Sequence, residues 1–483
     1  MSAPEPSCCA RWTDRLLGAG LLTALAGFVA AMAYQSAAWP GGMPGQAPPM
    51  PALGGYWIAF AMLWALLGLA AWRWGKRPAN RARQVGLLIL AVALVARLIV
   101  VMASSPVLSD DLWRYIHDGM TLSQGRNPYL APPSDVAEGP RHELHDALLP
   151  RINHPHLVTI YQPASQHVFA VLAMLRVPTW DLLGDRVFRL GFVVFDMLII
   201  SLLLGQLRRE GRSPWWAILY AWHPLAISEV AGSGHQDVIG IACLLIGLRC
   251  IGRMSRRPAD ETGLAVTGGA ALAAATAVKP LVLPVAFLSK VTMRSNRDAA
   301  AACALAGAVT LAALYLPFLL MEGGLASMVH TAQVFVDTWA FNASLHALAR
   351  AGFASKSAAD LLMATLLAGT LIACFLLRLD LWRAAGAYLL AALLLSSTAH
   401  PWYALWPLAI LPIRFSPVTW VLSLTIAWSY QAHLNAEAFQ VAAWIRWLEY
   451  LPVYTALLMT LGLSLRRKMT RTQPLGAEHE AAD

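Results

Sequence analysis

Apolar residues run along this chain in blocks of about 20, separated by short polar or basic stretches. That is the length of helix that crosses the hydrocarbon core of a bilayer. The blocks are too long for tilted membrane strands and lack period-two alternation, which argues against a β-barrel. The pattern predicts spans near 16–35, 53–73, 84–103 and 187–206. Further spans fall near 214–230, 236–252, 263–278, 280–290, 299–319, 358–378, 384–398, 402–413, 417–433 and 441–464. Several of these are short, and the pair around Lys279-Pro280 reads as half-helices. The predicted fold class is an all-α polytopic membrane protein with about 12–14 transmembrane helices.

Basic residues set the orientation. They cluster at Arg73–Arg83, Arg208–Arg212, Arg253–Arg257, Lys290–Arg297 and Arg466–Arg471, all beside predicted helix ends. Lys and Arg favour the cytoplasmic side, so these ends are placed there, with both termini. The long segment 104–186 is then extracytoplasmic. Inside it, 166–177 is apolar but short for a span. Counting it as one would put the 208–212 cluster outside, so an in-plane or re-entrant helix is expected. The chain divides on this reading into an N-terminal helix pair (1–83), a transmembrane catalytic domain (84–465) and a disordered polar tail (466–483). No repeat is visible, and the halves do not read as inverted copies, which weakens a transporter reading.

Composition agrees with one membrane domain. Hydrophobic residues make up 58% of the 483, charged residues 13%, and the mean hydropathy is +0.54. The net charge of +9 sits at helix ends, where it needs no anionic partner beyond the lipid surface, and no nucleic-acid partner is expected. Cys8, Cys9, Cys243, Cys250, Cys303 and Cys374 all avoid predicted outer segments, so free thiols are expected. The N-terminal apolar run lacks a clear cleavage site and reads as a retained span.

The other polar residues collect on the predicted outer side. They lie in SDDLWRYIHDG (109–119), INHPHLVTIYQPASQ (152–166), SEVAGSGHQDV (228–238), VKP (278–280), WAFNASLH (339–346) and TAHPWY (398–403). Ionisable groups in or beside spans are costly and mark function by default. Each has a plainer reading. His154, His156, His235 and His400 suit a membrane interface, as do Trp402 and Tyr403. Glu229 and Asp237 suit helix capping, and so do Asp110 and Asp111. Lys279, at a break between two short spans, is harder to dismiss, since a buried lysine without a partner seeks an anion. HPH at 154–156 is a weak metal motif, and no HExxH, paired CxxC, DxD, Walker loop or GxSxG occurs. No metal or other cofactor is expected.

Carboxylates at a membrane–water boundary suit general-base work on a hydroxyl, and Arg and Lys suit a phosphate leaving group. A lipid-linked sugar phosphate places that phosphate at headgroup level. SDDLWRYIHDG…GRNPY, INHPHLVTIYQPASQ, GHQDV, KP and HPWY together resemble the bacterial GT-C glycosyltransferases, in the polyprenol-phosphate-mannose-dependent mannosyltransferase group. The resemblance covers about 85–415. It is similar, more distantly, to the catalytic subunit of the first mannosyltransferase of GPI-anchor synthesis.

The resemblance implies a GT-C bundle with juxtamembrane helices in the first large outer loop. It implies an inverting transfer of a hexose, mannose by resemblance alone, from a polyprenyl-monophosphate donor to a glycolipid or glycan acceptor. The site would face the exterior of a bacterial inner membrane. The general base falls on Asp111, with Asp110 second. Arg114 would hold the acidic site or the donor phosphate, beside Tyr115. Lys279 would meet the phosphate, with His235 or His400, and Asp237 and Tyr403 complete the implied substrate site. Gly125, Asn127, Pro128 and Tyr129 would close the first juxtamembrane helix. Eukaryotic relatives carry Asp-x-Asp where this chain has Ser109-Asp110-Asp111, which leaves the base and metal dependence open. Two alternatives are a flippase of polyprenyl-linked sugars and a GT-C ligase or polymerase using a diphosphate donor.

Overall fold

The computed structural model describes residues 8–39, 47–77, 81–135, 141–176, 184–254, 261–292, 296–353, 355–435 and 438–472. Among these residues no strand forms. The extended contact is a parallel bridge between Phe341 and Thr398. The main helices are α1 (Cys8–Ala38), α2 (Met50–Trp74), α3 (Ala82–Ala103), α4 (Asp111–Ser123), α5 (Pro163–Met174), α6 (Asp185–Arg209), α7 (Asp237–Met254) and α8 (Glu261–Thr276). They continue as α9 (Leu283–Thr292), α10 (Arg297–Leu320), α11 (Ala326–Thr338), α12 (Lys356–Leu376), α13 (Leu381–Leu395), α14 (Pro417–Thr425) and α15 (Ala443–Thr472).

Six of these are long and apolar enough to cross a membrane: α1 (from Trp12), α2, α3, α6, α10 and α12. The chain is an all-α polytopic membrane protein. Shorter apolar helices, such as Leu381–Leu395, fill the space between them. The most apolar window of α10 is only 6% buried inside the protein. Its exposed Leu305, Val309, Leu316 and Leu320 therefore face lipid, not a core.

Local chemistry sets the helix ends. Asn296, Ser355, Asp380 and Ser416 each accept a hydrogen bond from a backbone N–H in the first turn of α10, α12, α13 and α14. The expected span 214–230 forms no single helix. Pro214 opens a 3-10 turn, Pro224 restarts the chain after His223, and a π-turn covers Ser228–Gly232. Gly234 then takes a left-handed φ of +74°, which releases the chain into α7.

The long loop after α3 holds two helices, α4 and α5, and α5 is a short helix over most of the stretch expected as an in-plane or re-entrant element. α4 and α5 lie against each other at Gly119, where an added Cβ would sit 2.4 Å from the Phe169 carbonyl oxygen. Only glycine permits that approach. The GRNPY turn anchors their far end. Asn127 donates to the Glu322 and Gly324 carbonyls at 2.9 Å each, and Tyr129 donates to the Tyr161 carbonyl at 2.6 Å.

Helices α1 and α2 join the main core. Trp57 donates to the Ala427 carbonyl at 2.9 Å, and the Tyr56 and Ser228 hydroxyls are 3.0 Å apart. At the other end, α15 runs on to Thr472, into the stretch expected as tail. The rest of that tail, 473–483, lies outside the described residues, as do the side chains of Cys8 and Cys9. Cys243, Cys250, Cys303 and Cys374 are free thiols.

A fully buried ion pair joins α3 to α6. Arg97 donates to Asp196, to the Ala221 carbonyl at 2.7 Å and to the Ala93 carbonyl at 3.2 Å. Tyr220 donates to the other Asp196 oxygen at 2.8 Å. Removing one partner of such a pair strands a charge in a low-dielectric interior. Asp196→Leu is expected to destabilise the protein by about 3–5 kcal/mol, and Arg97→Met with Asp196→Leu to recover most of that loss. Thermal unfolding of the detergent-purified variants checks both; a single variant as stable as the double would contradict this account.

Candidate functional site

At one end of the bundle, all six of the polar segments that the sequence places outside converge on a cavity of about 830 Å³. Asp110, Asp111, Arg114, Asp237, Lys279, His400 and Tyr403 line it. Tyr115 and His235 sit directly behind the lining, both buried. The site residues expected from the sequence are therefore brought together, seven in the wall and two supporting it.

Asp111 opens α4, where the helix dipole favours negative charge. Tyr115, one turn on, donates to Asp111 Oδ2 at 3.3 Å. Asp110 occupies the N-cap position but makes no side-chain capping bond. Capping is instead done by Ser109, whose Oγ accepts the Asp111 N–H at 3.3 Å. Both aspartates are thus free of the structural duty that was the plainer explanation for them. Burial raises both: Asp110 to about 7, helped by the Asp111 charge, and Asp111 to about 6, with Tyr161 and Tyr115 pulling the other way.

Behind Asp111 runs a line of buried polar groups. His235 Nδ1 is 3.7 Å from Asp111 Oδ2, and its Nε2 is 3.4 Å from Glu229 Oε2. The other Glu229 oxygen accepts from Tyr430. The π-turn and Gly234 put Glu229 and His235 there, which a continuous helix would not do. His235 is also the inner plate of a ring stack. Trp402 lies on it at 3.9 Å, His400 on Trp402 at 4.2 Å, and Phe341 on His400 at 4.4 Å, all within 15° of parallel. The Phe341–Thr398 bridge holds the two chain segments of this stack in register.

Lys279 has partners, contrary to its reading as an unpaired lysine. Its Nζ donates to Asp237 Oδ1 at 2.9 Å and sits 3.5 Å from the centre of the Tyr403 ring. Trp406 donates to the same Asp237 oxygen at 2.6 Å. Arg114 is also committed. It bonds Asp118 at 3.0 Å and the Leu157 carbonyl at 2.8 Å, so it fastens α4 to the 152–162 segment. Burial acts to raise Asp118, and the Arg114 charge together with His117 and Thr159 outweighs it, so Asp118 is held below its ordinary value.

Several lining residues were not singled out from the sequence. Tyr161, Tyr430 and His433 line the polar side, and Trp39, Phe335, Trp339 and Phe439 line an aromatic side. Phe335 lies on α11, which the hydropathy pattern passed over because its polar and apolar residues are mixed. His154 of the HPH turn also lines the cavity, with a left-handed φ of +51° and its ring 4.4 Å from Trp339.

A many-helix membrane bundle with one acidic, lysine-bearing cavity fits a membrane glycosyltransferase of the GT-C type. The model of the MptA_B family, described as the alpha-(1->6)-mannopyranosyltransferase N-terminal domain, matches residues 16–296. That is more than half of the chain, which belongs to this family. The match includes α1, α2 and the outer loop that bears Asp110 and Asp111. No curated protein and no solved structure matches. The protein is a glycosyltransferase of a mannosyltransferase family, and it requires a sugar donor and an acceptor.

The raised carboxyls have a consequence for stability. A group titrating at about 7 when folded, against 3.8 unfolded, binds its proton more tightly in the folded chain. Its stabilising contribution is full below the unfolded value and is lost as pH rises through about 7. Asp110→Asn is therefore expected to raise the unfolding midpoint at about pH 8, with the gain fading towards about pH 4. Thermal unfolding across that range reads the effect, and a pH-independent difference would contradict it.

Proposed function

We propose that the protein transfers mannose from a polyprenyl-monophosphate donor to a hydroxyl of a glycolipid or glycan acceptor, with inversion and with Asp111 as the general base. The single observation that supports this best is that the Asp110-Asp111 pair and Lys279 line one cavity. The acceptor oxygen attacks the anomeric carbon from the face opposite the phosphate. Its proton passes to Asp111, whose elevated value of about 6 suits a base working near neutral pH. The bond from the anomeric carbon to the phosphate oxygen breaks, and its electron pair leaves with the phosphate towards Lys279. Asp237 and Tyr403 hold the ammonium in place without consuming all of its donors.

Two further points favour this reading. Among the described lining residues the permanent cations are Arg114 and Lys279, and Arg114 is already bonded to Asp118. One available ammonium suits a monophosphate better than a diphosphate. The aromatic side of the cavity suits a polyprenyl chain and a sugar face together. The family description names an α-1,6 bond. Inversion to an α product requires a donor in which mannose is β-linked to phosphate. The proposed location is a bacterial inner membrane with the cavity facing outward. Residues 84–465 are proposed to carry the chemistry, with the 1–83 pair as support.

Asp111→Asn is expected to lower mannosyl transfer by about 10²- to 10⁴-fold with membrane abundance unchanged, and Asp110→Asn to lower it less. Transfer by the parent protein should rise with pH through about 6 as Asp111 ionises. Purified protein given β-mannosyl monophosphate and diphosphate polyprenols separates the donors. Full activity in both variants would sink Asp111 as the base, and activity with the diphosphate alone would sink the donor class.

A further inference from the structure

The outer loop carries a second cluster that the cavity does not use. His117 lies on α4, and His142 and His145 come from the segment that follows the GRNPY turn. All three are buried, and none lines the cavity. One ring nitrogen from each falls within 4.8 Å of the other two. His117 Nε2 and His145 Nδ1 are 3.3 Å apart. Two nitrogens bound at about 2.0 Å to one tetrahedral ion are separated by roughly 3.3 Å, so this pair already has a ligand spacing. The rings meet edge to face or tilted, at 57–69°, which turns nitrogen-bearing edges together instead of stacking faces.

His142 supplies an independent observation. It is 3% exposed, and neither of its ring nitrogens has a hydrogen-bond partner in the protein. His117 Nδ1 is likewise buried and unbonded, and it faces Asp118 Oδ1 at 3.6 Å. Buried polar atoms are normally satisfied, and the two unbonded nitrogens of His142 beside the other two rings call for a missing partner.

We propose that His117, His142 and His145 bind one divalent transition-metal ion of the zinc class, a structural site separate from the cavity. Three imidazoles select zinc, cobalt, nickel or copper over magnesium or calcium, whose preference is for oxygen. Asp118 stands behind His117 as the carboxylate that orients a ligating histidine. Water completes the fourth position. The ion ties the 142–145 segment to α4 two turns below Asp111. Because Asp118 also holds Arg114, the same carboxylate braces both the metal ligand and the helix that carries the acidic pair.

The test uses full-length protein purified in detergent through a tag without histidines. Stripped protein is titrated with Zn²⁺ against a chromophoric chelator, and separately with Co²⁺ while visible absorption is recorded. One tightly bound equivalent and a tetrahedral cobalt band are expected, with a rise in unfolding midpoint on adding Zn²⁺. His142→Ala, which removes no protein hydrogen bond, and His145→Ala should each weaken binding by at least about 100-fold and abolish the Zn²⁺-induced rise. No tight equivalent in the parent protein, or the same equivalent in both variants, overturns the proposal. Because the readouts are binding and stability, they are independent of the donor, the acceptor and the choice of base.

Discussion

The Arg97–Asp196 pair is the constraint on which the rest of this architecture depends. It lies between α3 and α6, the helices that enter and leave the long outer loop. Burying two charges among apolar helices is tolerable only when they are paired and hydrogen-bonded, and Tyr220 and the Ala221 carbonyl add hydrogen bonds to the pair. The pair thereby closes the base of the loop. It also fixes the start of the broken segment 214–235, because Tyr220 and Ala221 belong to it. With the base closed, α4 emerges at a set height, and Asp111 meets His235 without a flexible tether.

That broken segment is the second step. A continuous helix through 214–235 would satisfy its own backbone and direct Glu229 and His235 by a 3.6-residue period. The prolines, the π-turn and Gly234 interrupt it, and irregular backbone at this depth persists because protein surrounds it on every side. Glu229, His235 and Asp111 then form a line from the interior to the cavity, and the ring stack from Phe341 to His235 covers one flank. Under the proposed reading, this line holds the Asp111 carboxylate in position as it accepts a proton.

Much of the long-period structure was legible in the sequence, because a span of about 20 apolar residues has few alternatives in lipid. The six membrane-length helices fall where the hydropathy predicts them. The outer polar segments also form a wall together, since charge in an apolar chain must collect somewhere wet. Partners across long sequence separations were not legible. Asp237 meets Lys279 from 42 residues away, so the lysine read as unpaired. Arg114 and Asp118 stand at i and i+4 of one helix, a pairing open to view but set aside in favour of phosphate. His142 and His145 escaped notice because their third member, His117, lies on a different element.

One helix thus organises two chemistries. α4 presents carboxylates at its N-terminus, where backbone dipoles favour anions, and a histidine near its middle. Gly119 sets it hard against α5, so it cannot rotate about its axis without a clash with the Phe169 carbonyl. In the proposed mechanism rotation is the motion that would carry Asp111 off the acceptor oxygen, and an error of about 1 Å there is costly to transfer chemistry. Gly119 and the Arg114–Asp118 pair oppose that rotation from two faces of the helix, and the proposed ion adds a third restraint. A soluble enzyme can bury such a helix in its core. Under the proposed reading this one lies at the rim of a bilayer, beside a cavity open to a lipid substrate, so its orientation has to be fixed by specific contacts on the faces that remain.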